Sequence, residues 1–297
     1  MPLDVEHDYA TVNGVRLHYA SCGRGPLMLF VHGFPEFWYA WKHQLAEFSR
    51  DHRAVALDMR GYNLSDKPAD VKAYRAKHLV EDLRQLIDHL GGRPCVVVAH
   101  DWGGAIAWNL AAAYPDYLSR LVIVNAPHPA LFARALKHSP EQIAASQYML
   151  FLRGADAERL LSENDYRRLE QTLYSFAGGA DGWLSDADRE RYREAWAQPG
   201  ALTGSLNYYR ASPLHPASPG TPGAAGVELD PRAFAVPVPT LVIWGERDAA
   251  LRPMLLDGLE DLVGALTVKR IPEGSHWVIH EYPERVNRMI REFIGSG

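Results

Sequence analysis

Residues 95–113 read CVVVAHDWGGAIAWNLAAA. Cys95 to His100 is an apolar run closed by a histidine, the pattern of a strand buried on both faces. After Gly103 the chain becomes an alanine-rich helix. Between them lies His100-Asp101-Trp102-Gly103-Gly104. A strand that turns straight into a helix exposes one side chain and crowds its neighbours, so small residues are needed nearby. Asp101 is the exposed side chain, and Ala99 and Gly103 are the small neighbours.

The same rhythm extends outward. Pro26 to His32 (PLMLFVH) is another buried-strand run ending at a glycine, and Ala54 to Asp58 (AVALD) repeats it. Residues 78–90 place Leu79, Leu83, Leu86, Ile87 and Leu90 on one helical face, and Gly91 and Gly92 stop that helix. Leu121 to Val124 is one more strand. Upstream, Val12 to Ala20 holds an Asn-Gly pair followed by alternation, which predicts an edge hairpin. Strands alternating with helices at this spacing predict an α/β protein with a mostly parallel sheet and helices on both faces.

At Asn125 the rhythm stops. From about Pro129 to Arg232 there are helical faces instead of strand runs: Tyr166, Leu169, Leu173 and Phe176, then Leu202, Leu206 and Tyr209. Residues 211–232 are rich in Pro, Gly, Ala and Ser and read as a long surface loop. Strands resume at Thr240 to Trp244 and at Leu266 to Ile271, and a last helix carries Val286, Met289, Ile290, Phe293 and Ile294. The expected division is a core of 1–128 and 233–297 with a helical cap, 129–232, inserted after the sixth strand.

Composition bounds the rest. The chain has 297 residues, 47% hydrophobic and 23% charged, which is ordinary for a soluble globular protein with a large core. The formal net charge is −5 and no basic stripe is present, which argues against a nucleic-acid partner. Cys22 and Cys95 lie far apart, so no disulfide framework is indicated. No signal peptide and no bilayer-length apolar stretch is visible, so the expectation is a cytoplasmic protein without a membrane span. A homodimer is compatible with the sequence.

The turn at Asp101 occupies the place of a nucleophile elbow, usually written G-x-S-x-G. A carboxylate there, in place of serine, attacks an sp³ carbon bearing a leaving group and forms an alkyl ester on the enzyme. Helix N-capping is the structural alternative for an aspartate at this position. The other members of such a triad follow in the order acid, then histidine. Asp248 lies in Trp244-Gly245-Glu246-Arg247-Asp248 and His276 in Gly274-Ser275-His276-Trp277, both beyond strand C-terminal ends, where α/β sheets place their sites. His276 is the expected base toward water, with its tautomer set by Asp248. The backbone N–H groups of Phe34, in His32-Gly33-Phe34-Pro35, and of Trp102 are the expected oxyanion hole. No metal or organic cofactor is implied, since no metal-ligand cluster or phosphate loop is present.

HGFPEFWYAW at 32–41, DMRGY at 58–62, HDWGG at 100–104 and NYYR at 207–210 together resemble the epoxide hydrolases of the α/β-hydrolase superfamily. The likeness is strong over residues 10–128 and 238–294 and looser over the cap. It implies the α/β-hydrolase fold and small apolar epoxides as substrates. It also implies two cap tyrosines whose phenols bind the epoxide oxygen. By motif these are Tyr209 and Tyr148, with Met149 standing where the family often has glutamine. Tyr208 is the lesser candidate. Glu36 and His100 match positions that the family uses to hold the hydrolytic water.

The nearest rival is a dehalogenase of the same Asp-His-Asp type, with the Trp102 indole as halide donor. Haloalkane dehalogenases usually carry a polar or acidic residue where Phe34 stands and lack the tyrosine pair. Fluoroacetate dehalogenases hold the substrate carboxylate with arginine just after the nucleophile, where this chain has Trp102 and then Ala105. A ligand-binding receptor with a degraded triad is disfavoured because all three members are present, and an esterase because serine is absent at 101.

Overall fold

The computed structural model describes residues 4–175 and 183–295. Its strands are β1 (Glu6–Val12), β2 (Val15–Cys22), β3 (Leu27–Val31), β4 (Arg53–Leu57), β5 (Cys95–His100), β6 (Leu118–Val124), β7 (Thr240–Gly245) and β8 (Leu266–Ile271). Its helices are α1 (Lys42–Phe48), α2 (Ala76–Leu90), α3 (Asp101–Ala113), α4 (Pro129–His138), α5 (Pro140–Ala145), α6 (Tyr148–Arg153), α7 (Ala157–Ser175), α8 (Asp186–Ala197), α9 (Ala201–Ala211), α10 (Val278–Glu281) and α11 (Pro283–Ile294).

The strands form one sheet in the order β1-β2-β4-β3-β5-β6-β7-β8. The pairings β1–β2 and β2–β4 are antiparallel, and the others are parallel. β3, β5 and β7 are buried along their whole length, as expected for strands covered on both faces. The Asn13-Gly14 turn joins Val12 directly to Val15, with positive φ at both turn residues, the geometry a two-residue hairpin needs. β2 departs from the predicted alternation because His18 is buried against Asp58, Nδ1 to Oδ2 2.6 Å.

This strand order positions the site. The chain leaves β3 for β4 on one side, while β5 pairs on the other side of β3. The order reverses there, and a crevice opens beyond the carboxyl ends of β3 and β5. The loop after β3 carries Gly33 and Phe34, and the loop after β5 begins with Asp101.

α4 to α9 intervene between β6 and β7, the helical cap after the sixth strand. Its α9 is seated by the DMRGY segment. Arg60 forms an ion pair with Asp82, and the Arg60 carbonyl accepts a 2.8 Å bond from the Tyr208 hydroxyl. Gly61 meets Gly204 of α9 so closely that a Cβ on Gly204 would lie 2.4 Å from the Gly61 carbonyl oxygen. The predicted face of Tyr166 and Leu169 is not continuous: α7 is broken at Glu163–Tyr166, where Asn164, Asp165 and Tyr166 take positive φ. Phe176 and the side chain of Leu173 lie outside the described residues. Among the described residues no helix is long and apolar enough to cross a membrane.

Candidate active site

Asp101 begins α3 with a φ of +51°, a left-handed conformation that costs a non-glycine residue about 1–3 kcal/mol and persists only where packing enforces it. The enforcement comes from close backbone approach. A Cβ on Gly103 would sit 2.3 Å from the Val31 carbonyl oxygen, and one on Gly104 2.3 Å from the Ala126 Cβ. Opposite, a Cβ on Gly33 would sit 2.2 Å from Asp101 Oδ1. The small residues that the turn demands thus let β3, α3 and the Asp101 carboxylate converge.

The two carboxylate oxygens have different surroundings. Oδ1 accepts the Phe34 N–H at 2.8 Å. Oδ2 faces His276 Nε2 at 3.6 Å. Burial acts to raise the Asp101 pKa, but the hydrogen bond and charge of His276 outweigh it and hold the carboxyl below its ordinary value. Trp102, the next residue, has one of the first N–H groups of α3, which lack intrahelical partners.

His276 Nδ1 donates to Asp248 Oδ2 at 2.7 Å. Asp248 is fully buried, and its oxygens accept from His276, from Asn125 Nδ2, and from the backbone N–H groups of Ala250 and Leu251, the last three at 2.8 Å. With every partner a donor, the carboxylate is fixed as an acceptor and sets the His276 tautomer, leaving Nε2 toward Asp101. Burial works against the imidazolium. The charge of Asp248, its hydrogen bond, and those from Asp101 overcome that and carry the His276 pKa up to about 10.

The cap supplies two phenols. Tyr148 opens α6 and Tyr209 lies in α9, both against Asp101 in one cavity of about 500 Å³. The Tyr148 and Tyr209 rings meet edge-on with centroids 6.3 Å apart, and Tyr209 meets the Trp102 ring edge-on at 5.1 Å. Burial first, then Asp101 and Asp248 for Tyr148, and Tyr148 and Asp101 for Tyr209, push both phenols well above their ordinary pKa, so they hold their protons. Arg153 binds the Tyr209 carbonyl. Both neighbouring tyrosines line the cavity and meet Trp102 edge-on, but they differ in their hydroxyls' surroundings: that of Tyr208 is committed to the Arg60 carbonyl, while Tyr209 packs against Phe34 beside Asp101.

Glu36 and His100 line neither the cavity of about 500 Å³ nor the small space beside His276. His100 Nε2 donates to the His276 carbonyl at 2.9 Å, and its Nδ1 lies 3.3 Å from Glu36 Oε2. Glu36 Oε1 accepts from His280 Nε2 at 2.6 Å and from the Tyr192 hydroxyl at 2.8 Å. Burial disfavours the charged carboxylate, but His280 and His100 hold it well below the usual carboxylate range. Sequence reading missed Asn125, His280 and Tyr192. Asn125 directly follows β6 with a positive φ and ties Asp248 to the Gly245 N–H. Its one signal was its place at the end of a buried strand. Tyr192 lies in α8, far away in sequence, and only the fold brings it to Glu36.

A family model for the α/β hydrolase fold matches residues 26–283. Epoxide hydrolase 4 of Mus musculus is 38% identical over 303 residues, covering 97% of this chain and 79% of that protein. Epoxide hydrolase 3 of Xenopus tropicalis is 38% identical, covering 97% and 78%. Among solved structures, an epoxide hydrolase of Bacillus megaterium in complex with an inhibitor superposes with a TM-score of 0.90 at 38% identity, covering 97% of this chain and 100% of that one.

Proposed function

We infer that, because this chain belongs to the epoxide hydrolases of the α/β-hydrolase-fold family, it converts epoxides to vicinal diols through an ester on Asp101. The observation that carries the route is the division of labour on Asp101: Oδ1 is held by the Phe34 N–H, while Oδ2 is left toward His276 and the phenol-lined cavity.

Tyr148 and Tyr209 donate to the epoxide oxygen. Oδ2 of Asp101 attacks a ring carbon, the carbon–oxygen bond breaks, and the alkoxide takes a phenol proton. Esterification neutralises Asp101 and so removes two of the influences that hold a proton on His276. The imidazolium passes that proton back to the phenolate and becomes a base. Water, deprotonated by His276, attacks the ester carbon. Negative charge gathers on Oδ1, where the N–H groups of Phe34 and Trp102 stabilise it; losing one such donor typically costs ~10²–10³ in rate. Collapse of this intermediate expels the second diol oxygen, which takes the proton from His276, and the carboxyl left on Asp101 then passes its own proton to His276, restoring the resting pair. Glu36 and His100 serve hydrolysis through the His276 carbonyl. The catalytic groups sit where a core of 1–128 and 233–297 meets a cap of 129–232, and the reaction runs in the cytoplasm.

Halide release is the disfavoured alternative, since the relatives are epoxide hydrolases and the Trp102 ring is packed edge-on against Tyr209. The test is a single turnover in heavy-oxygen water with enzyme in excess. Label is expected in the Asp101 carboxyl and not in the first diol released; label directly in that diol refutes the covalent route.

A further inference from the structure

Asp101, Tyr148 and Tyr209 stand between two spaces of very unequal size. On one side the cavity measures about 500 Å³, within the ~300–1,000 Å³ range of ligand sites. On the other, next to His276, it measures about 10 Å³, the volume that holds one water molecule at ~10–15 Å³.

The large cavity follows α3. Trp102, Ala105, Ile106 and Asn109 all line it, and their spacing of three and four puts them on one helical face. From Asp101 to Asn109 that face runs ~12 Å at ~1.5 Å per residue. Phe132 of α4 and Phe234 close it with further apolar surface. The small space is walled by Phe34, Pro35, Leu152, Ala250 and Trp277, and Leu152, Ala250 and Trp277 are each no more than 2% exposed. Walls packed that tightly resist an intruding group, because overpacking forces side chains off their preferred rotamers.

We propose that the preferred substrates are terminal epoxides bearing a single long apolar arm, which lies along α3 while the space beside His276 stays reserved for the hydrolytic water. This rests on the catalytic reading of Asp101 and His276. A ring seated between Asp101 and the two phenols, which line both spaces, would have its two carbons along the line joining them. A bulky group on each carbon, trans to one another, sends one group into the water-sized space. That group collides with Leu152 and Trp277 and displaces the water that the ester needs. An arm on one carbon only meets neither obstacle.

The experiment measures kcat/KM for a biphenylyl glycidyl ether, for trans-stilbene oxide and for propylene oxide, on the wild type and on Leu152→Ala and Ala105→Phe. The wild type is expected to favour the long-armed terminal epoxide over trans-stilbene oxide by about 100-fold or more, since a single methylene in such a pocket is already worth ~10–200-fold. Leu152→Ala is expected to shrink that preference by about tenfold. Ala105→Phe, which obstructs the α3 face, is expected to depress the long-armed substrate at least about tenfold more than propylene oxide. Comparable rates on trans-stilbene oxide and the long-armed epoxide overturn the proposal and leave the catalytic reading intact. So does an Ala105→Phe variant whose two terminal substrates fall together, which keeps the proposal open to refutation should Leu152→Ala fail to fold. Absence of diol from all three epoxides overturns the catalytic reading, and this one with it.

Discussion

Replacing Asp248 by asparagine separates the two chemical steps. Each oxygen of Asp248 accepts from donors: Oδ2 from His276 Nδ1 and Asn125 Nδ2, Oδ1 from the Ala250 and Leu251 N–H groups. An amide has one oxygen to offer. If it turns that oxygen to His276, its NH₂ opposes two buried backbone donors, at ~1–3 kcal/mol each. The cheaper arrangement keeps the oxygen on the backbone and turns the NH₂ toward His276. The imidazole then presents a lone pair at Nδ1 and a proton at Nε2, the wrong tautomer for a base. The corresponding exchange in a serine-protease triad lowers kcat by ~10⁴. At ~1.4 kcal/mol per tenfold, that is ~5 kcal/mol off transition-state stabilisation. Here the loss falls on hydrolysis. Ring opening by Asp101 does not require neutral imidazole and is expected to stay within about tenfold of the wild type. Diol release should therefore fall by about 10⁴ while intact mass shows the enzyme plus one substrate. Steady-state turnover within about tenfold of the wild type, or lost turnover with no accumulated adduct, would refute the reasoning.

Tyr209→Phe should slow ring opening by ~10²–10⁴, because a phenol that donates to the leaving oxygen is lost; Tyr208→Phe should affect stability more than the chemical step, because its hydroxyl ties α9 to the Arg60 carbonyl. Pre-steady-state alkylation rates check this, and equal slowing in both variants counts against the assignment. Gly33→Ala should lower kcat/KM by ~10² or more, since its Cβ would meet Asp101 Oδ1 at 2.2 Å and disturb the held oxygen; a rate within about tenfold of the wild type contradicts it. The folded-state pKa of His276 is raised from 6.5 to about 10, so its stabilising contribution is complete below about 6.5 and is lost as the pH rises through about 10. Denaturant titrations of the wild type and His276→Gln should therefore converge as the pH rises across that window, and a constant gap would remove the imidazolium from the stability of the resting enzyme.

Much of this molecule is legible along the chain. The buried runs that became β3, β5, β6 and β7, the αL stop at Gly91, and the Asn13-Gly14 hairpin follow from local periodicity and turn chemistry, which act over a few residues. The proposed nucleophile is equally local: an aspartate between a buried strand and a helix, with small residues where backbones must close on one another. Less legible were places where propensity met tertiary demand. The face of Tyr166 and Leu169 reads as one helix, yet α7 breaks there. β2 carries a polar His18 inside because Asp58 waits for it at the end of β4.

Taken alone, the sequence determined the class of sheet and pointed to Asp101 as the proposed nucleophile and to the order of its proposed partners, since each is carried by short segments whose pattern does not depend on distant neighbours. Only the tertiary structure showed that the Tyr208 hydroxyl is spent on the Arg60 carbonyl, because that depends on how α9 seats on the DMRGY segment, where Gly204 meets Gly61. Only it tied Asp248 to Asn125, brought Tyr192 and His280 onto Glu36, and left a long apolar cavity on one side of Asp101 and a water-sized one on the other. Distances across a fold are fixed by strand order and helix packing, which couple residues more than a hundred positions apart.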